Sequence, residues 1–258
     1  MELFNLTGTH ALITGAGGGI GRALAAGFAG CGADVACVDL SEAHAMPGVD
    51  AVTRAGRKAI PVACDVREPE AVKLAVAKTL ECFGKIDTLV NLAGSGILKP
   101  ALEFTLPDWT HMVDTYLRGT FLFCQEVGTH MIQRGSGSII NFSSIASLVA
   151  LGRGTAPYAA VKAGVNALTR ELAVEWATKG IRVNAIAPCQ IDTPQLRALF
   201  DNPHFTQQGL MASWLENIAM KRLGRPDELV GPSVFLASNA SSLVTGHILV
   251  VDGGYTLK

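Results

Sequence analysis

Ala11-Leu12-Ile13-Thr14-Gly15-Ala16-Gly17-Gly18-Gly19-Ile20-Gly21 joins an apolar run of strand character to a segment with helical spacing, and this junction decides the fold. Glycines at such a junction let backbone amides approach a pyrophosphate. The anion sits at the helix N-terminus, where free N–H groups and the helix dipole favour it and a Cβ would hold it away. A tight strand-to-helix turn can use glycines for packing alone, so the motif needs support from the rest of the chain. Gly15, Gly18, Gly19, Ile20 and Gly21 are the candidate cradle residues.

Downstream of the turn, Ile20, Leu24, Phe28 and Cys31 fall on one helical face, and Gly32 is placed to end the helix. Strand-like apolar stretches recur at 10–14, 34–38, 59–63, 86–90, 137–142, 181–187 and 247–251, separated by segments with helical spacing or a helix plus loop. That alternation predicts an α/β fold, a doubly wound parallel sheet of the Rossmann type, as one domain over 1–258. Val161, Val165, Leu168, Leu172 and Trp176 form the apolar stripe of a long amphipathic helix. The irregular stretch at about 190–225, with Pro194, Pro203 and Gly209, reads as short helices forming a flap over a substrate pocket. The chain carries no internal repeat of fixed period.

With 49% apolar and 17% charged residues, the 258-residue chain can bury a large core. A net charge of −1 without any Lys/Arg block argues against nucleic acid or an anionic membrane as partner and favours a small neutral or acidic molecule. The first residues show no leader pattern and no apolar run is long enough to span a bilayer, so a cytoplasmic location is expected. Cysteines 31, 37, 64, 82, 124 and 189 contain no C-x-x-C and read as small core residues. No metal site is expected, because His204 and His247 form no ligand-spaced pair.

The second strand ends at Asp39, eighteen positions beyond Gly21 and near the interval at which an acidic side chain accepts hydrogen bonds from an adenosine ribose. Its charge would repel a 2′-phosphate, and neither Gly18 nor Leu40 supplies a neutralising cation, so the expected cofactor is NAD. The competing reading makes Asp39 the cap of the next helix, a role Ser41 could also fill.

Together with six further segments, the turn resembles the classical short-chain dehydrogenase/reductase family over essentially the whole chain. Thr14-Gly15-x-x-x-Gly19-Ile20-Gly21 matches that family's glycine motif, and Cys64-Asp65-Val66 resembles its adenine-holding Asp-Val pair. Asn91-Leu92-Ala93-Gly94 resembles the Asn-Asn-Ala-Gly turn, with Leu92 at the second Asn. Ser143-Ser144 and Tyr158-Ala159-Ala160-Val161-Lys162 match the catalytic Ser and the Tyr-x-x-x-Lys, and Pro188-Cys189-Gln190-Ile191-Asp192-Thr193 resembles the segment that meets the nicotinamide. Val251-Asp252-Gly253-Gly254 completes the set. The resemblance implies cofactor contacts from Asp65, Val66, Asn91, Ala93, Gly94, Pro188, Ile191 and Thr193, besides the turn and Asp39. It also implies a homotetramer built through the two long helices after strands four and five and the C-terminal strand.

Tyr158 and Lys162 lie four apart on a helix and share a face. A nearby ammonium is expected to draw the phenol's pKa down toward the working range and make Tyr158 the acid/base, while by resemblance Lys162 also bonds the nicotinamide ribose. Ser144 would hold the substrate oxygen, with Ser143 or Ser147 as substitutes if the register differs. Two positions depart from the family. Tyr116 stands where an Asn usually supports a proton-relay water; it shares a helical stripe with Trp109, Met112, Val113, Thr120 and Phe123, so packing and function both remain open. If functional, Tyr116 displaces the relay water and leaves the other three competent. Cys189 replaces a Gly and reads as a buried thiol.

The expected function is hydride transfer between NAD(H) and a secondary alcohol or ketone, with sugar acids, polyols, cyclic diols or hydroxyacyl compounds as substrate classes. The alternatives are an NADPH-dependent 3-oxoacyl thioester reductase and a dinucleotide-binding sensor without turnover.

Overall fold

A computed structural model describes residues 2–152, 154–200 and 210–257. Pro203, His204 and Gly209 lie outside the described residues. Chain order gives β1 (His10–Thr14), α1 (Gly19–Gly30), β2 (Asp34–Asp39), α2 (Glu42–Arg54), β3 (Ala59–Ala63), α3 (Pro69–Phe83) and β4 (Thr88–Asn91). There follow α4 (Leu106–Met112), a π-helical turn (Val113–Arg118), α5 (Gly119–Arg134), β5 (Gly137–Phe142), α6 (Ala156–Trp176) and β6 (Ile181–Pro188). The chain continues through α7 (Pro194–Phe200), α8 (Leu210–Asn217), α9 (Val230–Ala237) and β7 (Ile248–Val251).

Seven parallel strands pair in the order β3-β2-β1-β4-β5-β6-β7. The chain leaves β1 toward one edge and returns to the other side at β4, which opens a crevice beyond the carboxyl ends of β1 and β4. Side chains alternate between two buried layers, as a sheet covered on both faces requires. Ile13, Cys37, Val90 and Ile140 pack with Leu24 and Phe28 of α1. Leu12, Val38, Leu89 and Ile139 pack with Phe123 of α5 and Leu172 and Trp176 of α6.

The predicted elements hold with small corrections. The fourth strand runs over Thr88–Asn91 rather than 86–90, and the Asp87 backbone N–H joins it to the His10 carbonyl of β1. Gly32, at φ 102°, follows the Cys31 cap of α1, and a Cβ there would lie 2.4 Å from Thr7 Oγ1. The stripe through Tyr116 breaks at Trp109, which is exposed while Met112, Tyr116 and Phe123 are buried. The intervening π turn closes with i→i+5 bonds and shifts the helical register.

A buried amide ladder ties the sheet together under the crevice. Asn91 Nδ2 donates to Asn141 Oδ1 (2.9 Å) and Asn141 Nδ2 donates to Thr169 Oγ1 on α6 (3.0 Å). Asn141→Ala leaves the Asn91 amide without its oxygen acceptor, and a loss of about 1–3 kcal/mol in the unfolding free energy is expected from denaturant titration.

Candidate active site

At the carboxyl end of β1, the glycine turn is shaped largely by the protein's own packing. Gly15 has φ 70° and lies against Ala93, a Cβ on Gly17 would sit 1.7 Å from the His44 carbonyl oxygen, and one on Gly21 would sit 2.0 Å from that of Gly15. Gly18 differs: it is the extended N-cap of α1, exposed, with nothing nearer a Cβ than the Gly15 carbonyl at 3.4 Å. The first turn of α1, Gly19-Ile20-Gly21, therefore meets the crevice with amide donors that a helix cannot satisfy internally, a fit for a pyrophosphate.

Asp39 does not cap α2. Ser41 does, its hydroxyl accepting the His44 N–H at 3.2 Å. The Asp39 carboxylate instead accepts the Gly17 N–H (3.1 Å) and the Leu40 N–H (2.9 Å), which fixes it beside the turn. Thr14 Oγ1 accepts the N–H groups of Leu92 and Ala93 at 3.0 and 3.1 Å, so the turn after β4 is bolted to the end of β1. Gly94 beyond it is exposed, whereas the Asn91 side chain is buried in the ladder and serves the sheet. Val66 is buried against Gly119, and the Asp65 carboxylate is taken by Arg67, whose guanidinium holds it below the usual carboxylate range. Thr193 Oγ1 accepts the Leu196 N–H of α7, and its methyl would lie 3.1 Å from a Cβ on Gly19, so the segment after β6 closes against the glycine turn. In that segment Pro188 and Ile191 are buried, and Ile191 bridges to Gly224.

The three serines differ in their partners. Ser143 and Ser147 hydroxyls pair with each other at 3.0 Å, and Ser147 also accepts from Asn166 Nδ2 at 2.8 Å. Ser144 Oγ accepts the Ala146 N–H at 3.2 Å, and Ser144 is the serine whose hydroxyl counters the burial-raised pKa of Tyr158. Lys162, 5% exposed, donates from Nζ to the Phe142 carbonyl, a backbone acceptor that no side-chain motif announces. Its Nζ lies 5.7 Å from the centre of the Tyr158 ring and 4.5 Å from that of Tyr116. The two tyrosines meet edge to face, 5.4 Å apart at 82°.

The electrostatics correct one expectation. Burial holds the Tyr158 phenol above its ordinary pKa, opposed by the Ser144 hydrogen bond, and the ammonium does not draw it down as the four-residue spacing suggested. The physical reason is that burial penalises both charged forms, since it also pushes Lys162 down to about 7. Between that value and its ordinary 10.5 the folded protein binds fewer protons at Lys162 than the unfolded chain, so this residue makes stability rise with pH. The difference in unfolding free energy between wild type and Lys162→Met, measured from pH 6 upward, is expected to move in favour of wild type above about 7.

Cys189 packs against the cluster of Ile145, Ile218 and Tyr255, and burial pushes its thiol up to about 11, which leaves it protonated and unreactive at neutral pH. His247 is exposed. No helix among the described residues is long and apolar enough to cross a membrane.

Residues 15–256 match the family model described as enoyl-(acyl carrier protein) reductase. The chain is 41% identical to D-threitol dehydrogenase of Mycolicibacterium smegmatis over 99% of its length and 95% of that protein's. It is 38% identical to gluconate 5-dehydrogenase of Gluconobacter oxydans, over 100% and 98%. Among solved structures, a short-chain type dehydrogenase/reductase from Mycobacterium marinum superposes with a TM-score of 0.94 at 36% identity, covering 100% of this chain and 99% of that one. A gluconate 5-dehydrogenase from Burkholderia cenocepacia, in complex with NADP and tartrate, superposes at 0.91 with 38% identity, over 100% and 98%.

Proposed function

The chain belongs to the classical short-chain dehydrogenase/reductase family, and on that footing we propose that it is an NAD-linked dehydrogenase of a secondary alcohol in a polyol or sugar acid. It is an oxidoreductase. The observation that carries the reading is the convergence of Ser144, Tyr158 and Lys162, with the Ser144 hydroxyl countering the burial-raised pKa of Tyr158 and Lys162 beneath both tyrosine rings.

The chemistry a bound nicotinamide would supply is that of hydride acceptor from the carbinol carbon, and the chain's own residues would handle the proton. Ser144 holds the substrate oxygen beside the Tyr158 hydroxyl, which receives the alcohol proton in oxidation and returns it in reduction. Lys162 would supply positive charge under Tyr158 and, as the family resemblance implies, donate to the nicotinamide ribose. The amides of Gly19, Ile20 and Gly21 would hold the pyrophosphate with Gly15 and Gly18 shaping the turn, Asp39 the adenosine ribose, Asp65 and Val66 the adenine edge, and the Asn91, Ala93, Gly94 turn with Pro188, Ile191 and Thr193 the nicotinamide side. Asp39, with no cation at Gly18 or Leu40, favours NAD in this chain although the Burkholderia relative was solved with NADP. The names of the relatives support polyols and sugar acids over 3-oxoacyl thioesters, and residues at about 190–225 would form the flap that selects among them.

Trp109 and Phe121 after strand four, Val174 on α6 and Val250 on β7 are exposed apolar residues on the elements expected to pair subunits. A homotetramer acting in the cytoplasm follows from this reading; sedimentation of a monomer at micromolar concentration would oppose it. The function itself is tested by supplying NAD and NADP with a panel of polyols and sugar acids, and NADPH with 3-oxoacyl thioesters. Formation of reduced NAD with a polyol or sugar acid is expected. NADPH-dependent thioester reduction alone, or NAD binding without turnover, would replace the reading with one of its alternatives.

A further inference from the structure

Lys162 carries a buried ammonium with three donors, yet its hydrogen-bond acceptor among the described residues is one backbone carbonyl, that of Phe142. Among the described residues, the titratable groups that face it are two tyrosines, Tyr116 from the π-helical turn and Tyr158 from its own helix. Burial is the cause that moves its pKa, and no carboxylate contributes. A charge so placed needs electrostatic help from its walls.

We propose that Tyr116 is a positioning residue that seats the Lys162 ammonium on its ring face and buttresses the Tyr158 phenol with edge-to-face contact, in the place where the family has an amide and a water. The Nζ-to-centroid distance of 4.5 Å is within the range at which a ring quadrupole attracts a cation, and the Tyr158 ring at 5.7 Å is the farther of the two. The surroundings hold the ring in place. Met112 and Val161 pack against it in one buried cluster, and Gly94 lies so close beneath that a Cβ there would be 2.1 Å from Tyr116 Cε1. The wider π turn carries Tyr116 into this position, and its carbonyl is bound by the Thr120 hydroxyl at 2.7 Å. The Tyr116 phenol stays neutral, since burial holds its pKa well above the ordinary value. An aromatic face therefore replaces the amide at this wall, and the hydroxyl is dispensable to the seat.

The part of the assignment that concerns turnover rests on the dehydrogenase reading; the seating of the ammonium does not. The test is a carbon-13 NMR titration of Lys162, labelled at Cε and identified by the signal lost in Lys162→Met, without substrate or cofactor. Position 116 is varied as Tyr, Phe, and Phe analogues with increasing ring fluorination, which keep the shape and weaken the ring's negative face. Tyr116→Phe is expected to leave the Lys162 pKa unchanged, and heavy fluorination to lower it stepwise by about one unit in total. Tyr116→Leu should lower it too and should narrow the pH range of turnover by a similar shift, with Tyr116→Phe restoring both. A titration indifferent to fluorination would overturn the assignment, as would a large gain in turnover in Tyr116→Asn. Failure of the wild-type protein to oxidise any alcohol would instead overturn the dehydrogenase reading and leave the titration result standing.

Discussion

Tyr158→Phe is expected to lower kcat for alcohol oxidation by about 10²–10⁴-fold, the range over which a positioned acid/base acts, while NAD affinity changes little. The substitution removes one oxygen and leaves the ring where it packs, edge to face with Tyr116 at 5.4 Å, so the fold has no reason to change. It removes the hydroxyl that would exchange a proton with the substrate, while Ser144 keeps its bond from the Ala146 N–H. Isothermal titration with NAD and steady-state kinetics separate the two effects. Retained turnover would take Tyr158 out of its role. The sign of the pH dependence follows from the raised Tyr158 pKa: the neutral phenol is present throughout the physiological range and is ready to donate in ketone reduction. Oxidation needs that proton gone, so its kcat/KM should rise with pH, opposed where Lys162 loses its charge above about 7.

The second large effect concerns the cofactor. Gly18→Arg combined with Asp39→Asn is expected to shift the ratio of kcat/KM for NADP over NAD by about a hundredfold, the range of hydrogen bonds to charged groups. Asp39 is held beside the turn by the Gly17 and Leu40 amides, and Asn keeps an oxygen for one of them while shedding the charge that repels a 2′-phosphate. Gly18 is the turn position with room for a side chain, because a Cβ there meets nothing closer than 3.4 Å. At Gly17 or Gly21 the same change would drive a carbon into a carbonyl oxygen. An unchanged ratio would mean that Asp39 does not face the ribose.

The sheet was legible because both its faces are buried and each strand is a short β-branched run, bounded by a helix with its own period. The glycine turn and the four-residue spacing of Tyr158 and Lys162 were legible because both are local. What escaped is non-local or carried by backbone. The motif points Asn91 toward the cofactor and is silent on the bond of its side chain to Asn141, fifty positions away on the neighbouring strand. The acceptor of Lys162 is the carbonyl of Phe142, which sequence cannot distinguish from any other. Ser144, Ser143 and Ser147 separate only when their partners are in place. Tyr116 could be flagged as a departure, but the π turn that puts its ring over Lys162 leaves no periodicity signal, since one wider turn merely looks like an imperfect stripe. The direction of the Tyr158 pKa depends on how deeply both partners are buried, which spacing does not report.

The central claim, direct hydride transfer from a secondary carbinol to NAD under Tyr158 and Ser144, is tested most directly with a polyol or sugar acid carrying deuterium at its oxidised carbon. Mass spectrometry of the nicotinamide after incubation with wild-type protein should find the deuterium on the reduced ring, and Tyr158→Phe should yield next to none. Bound NAD that gains no deuterium from any member of the panel would contradict it.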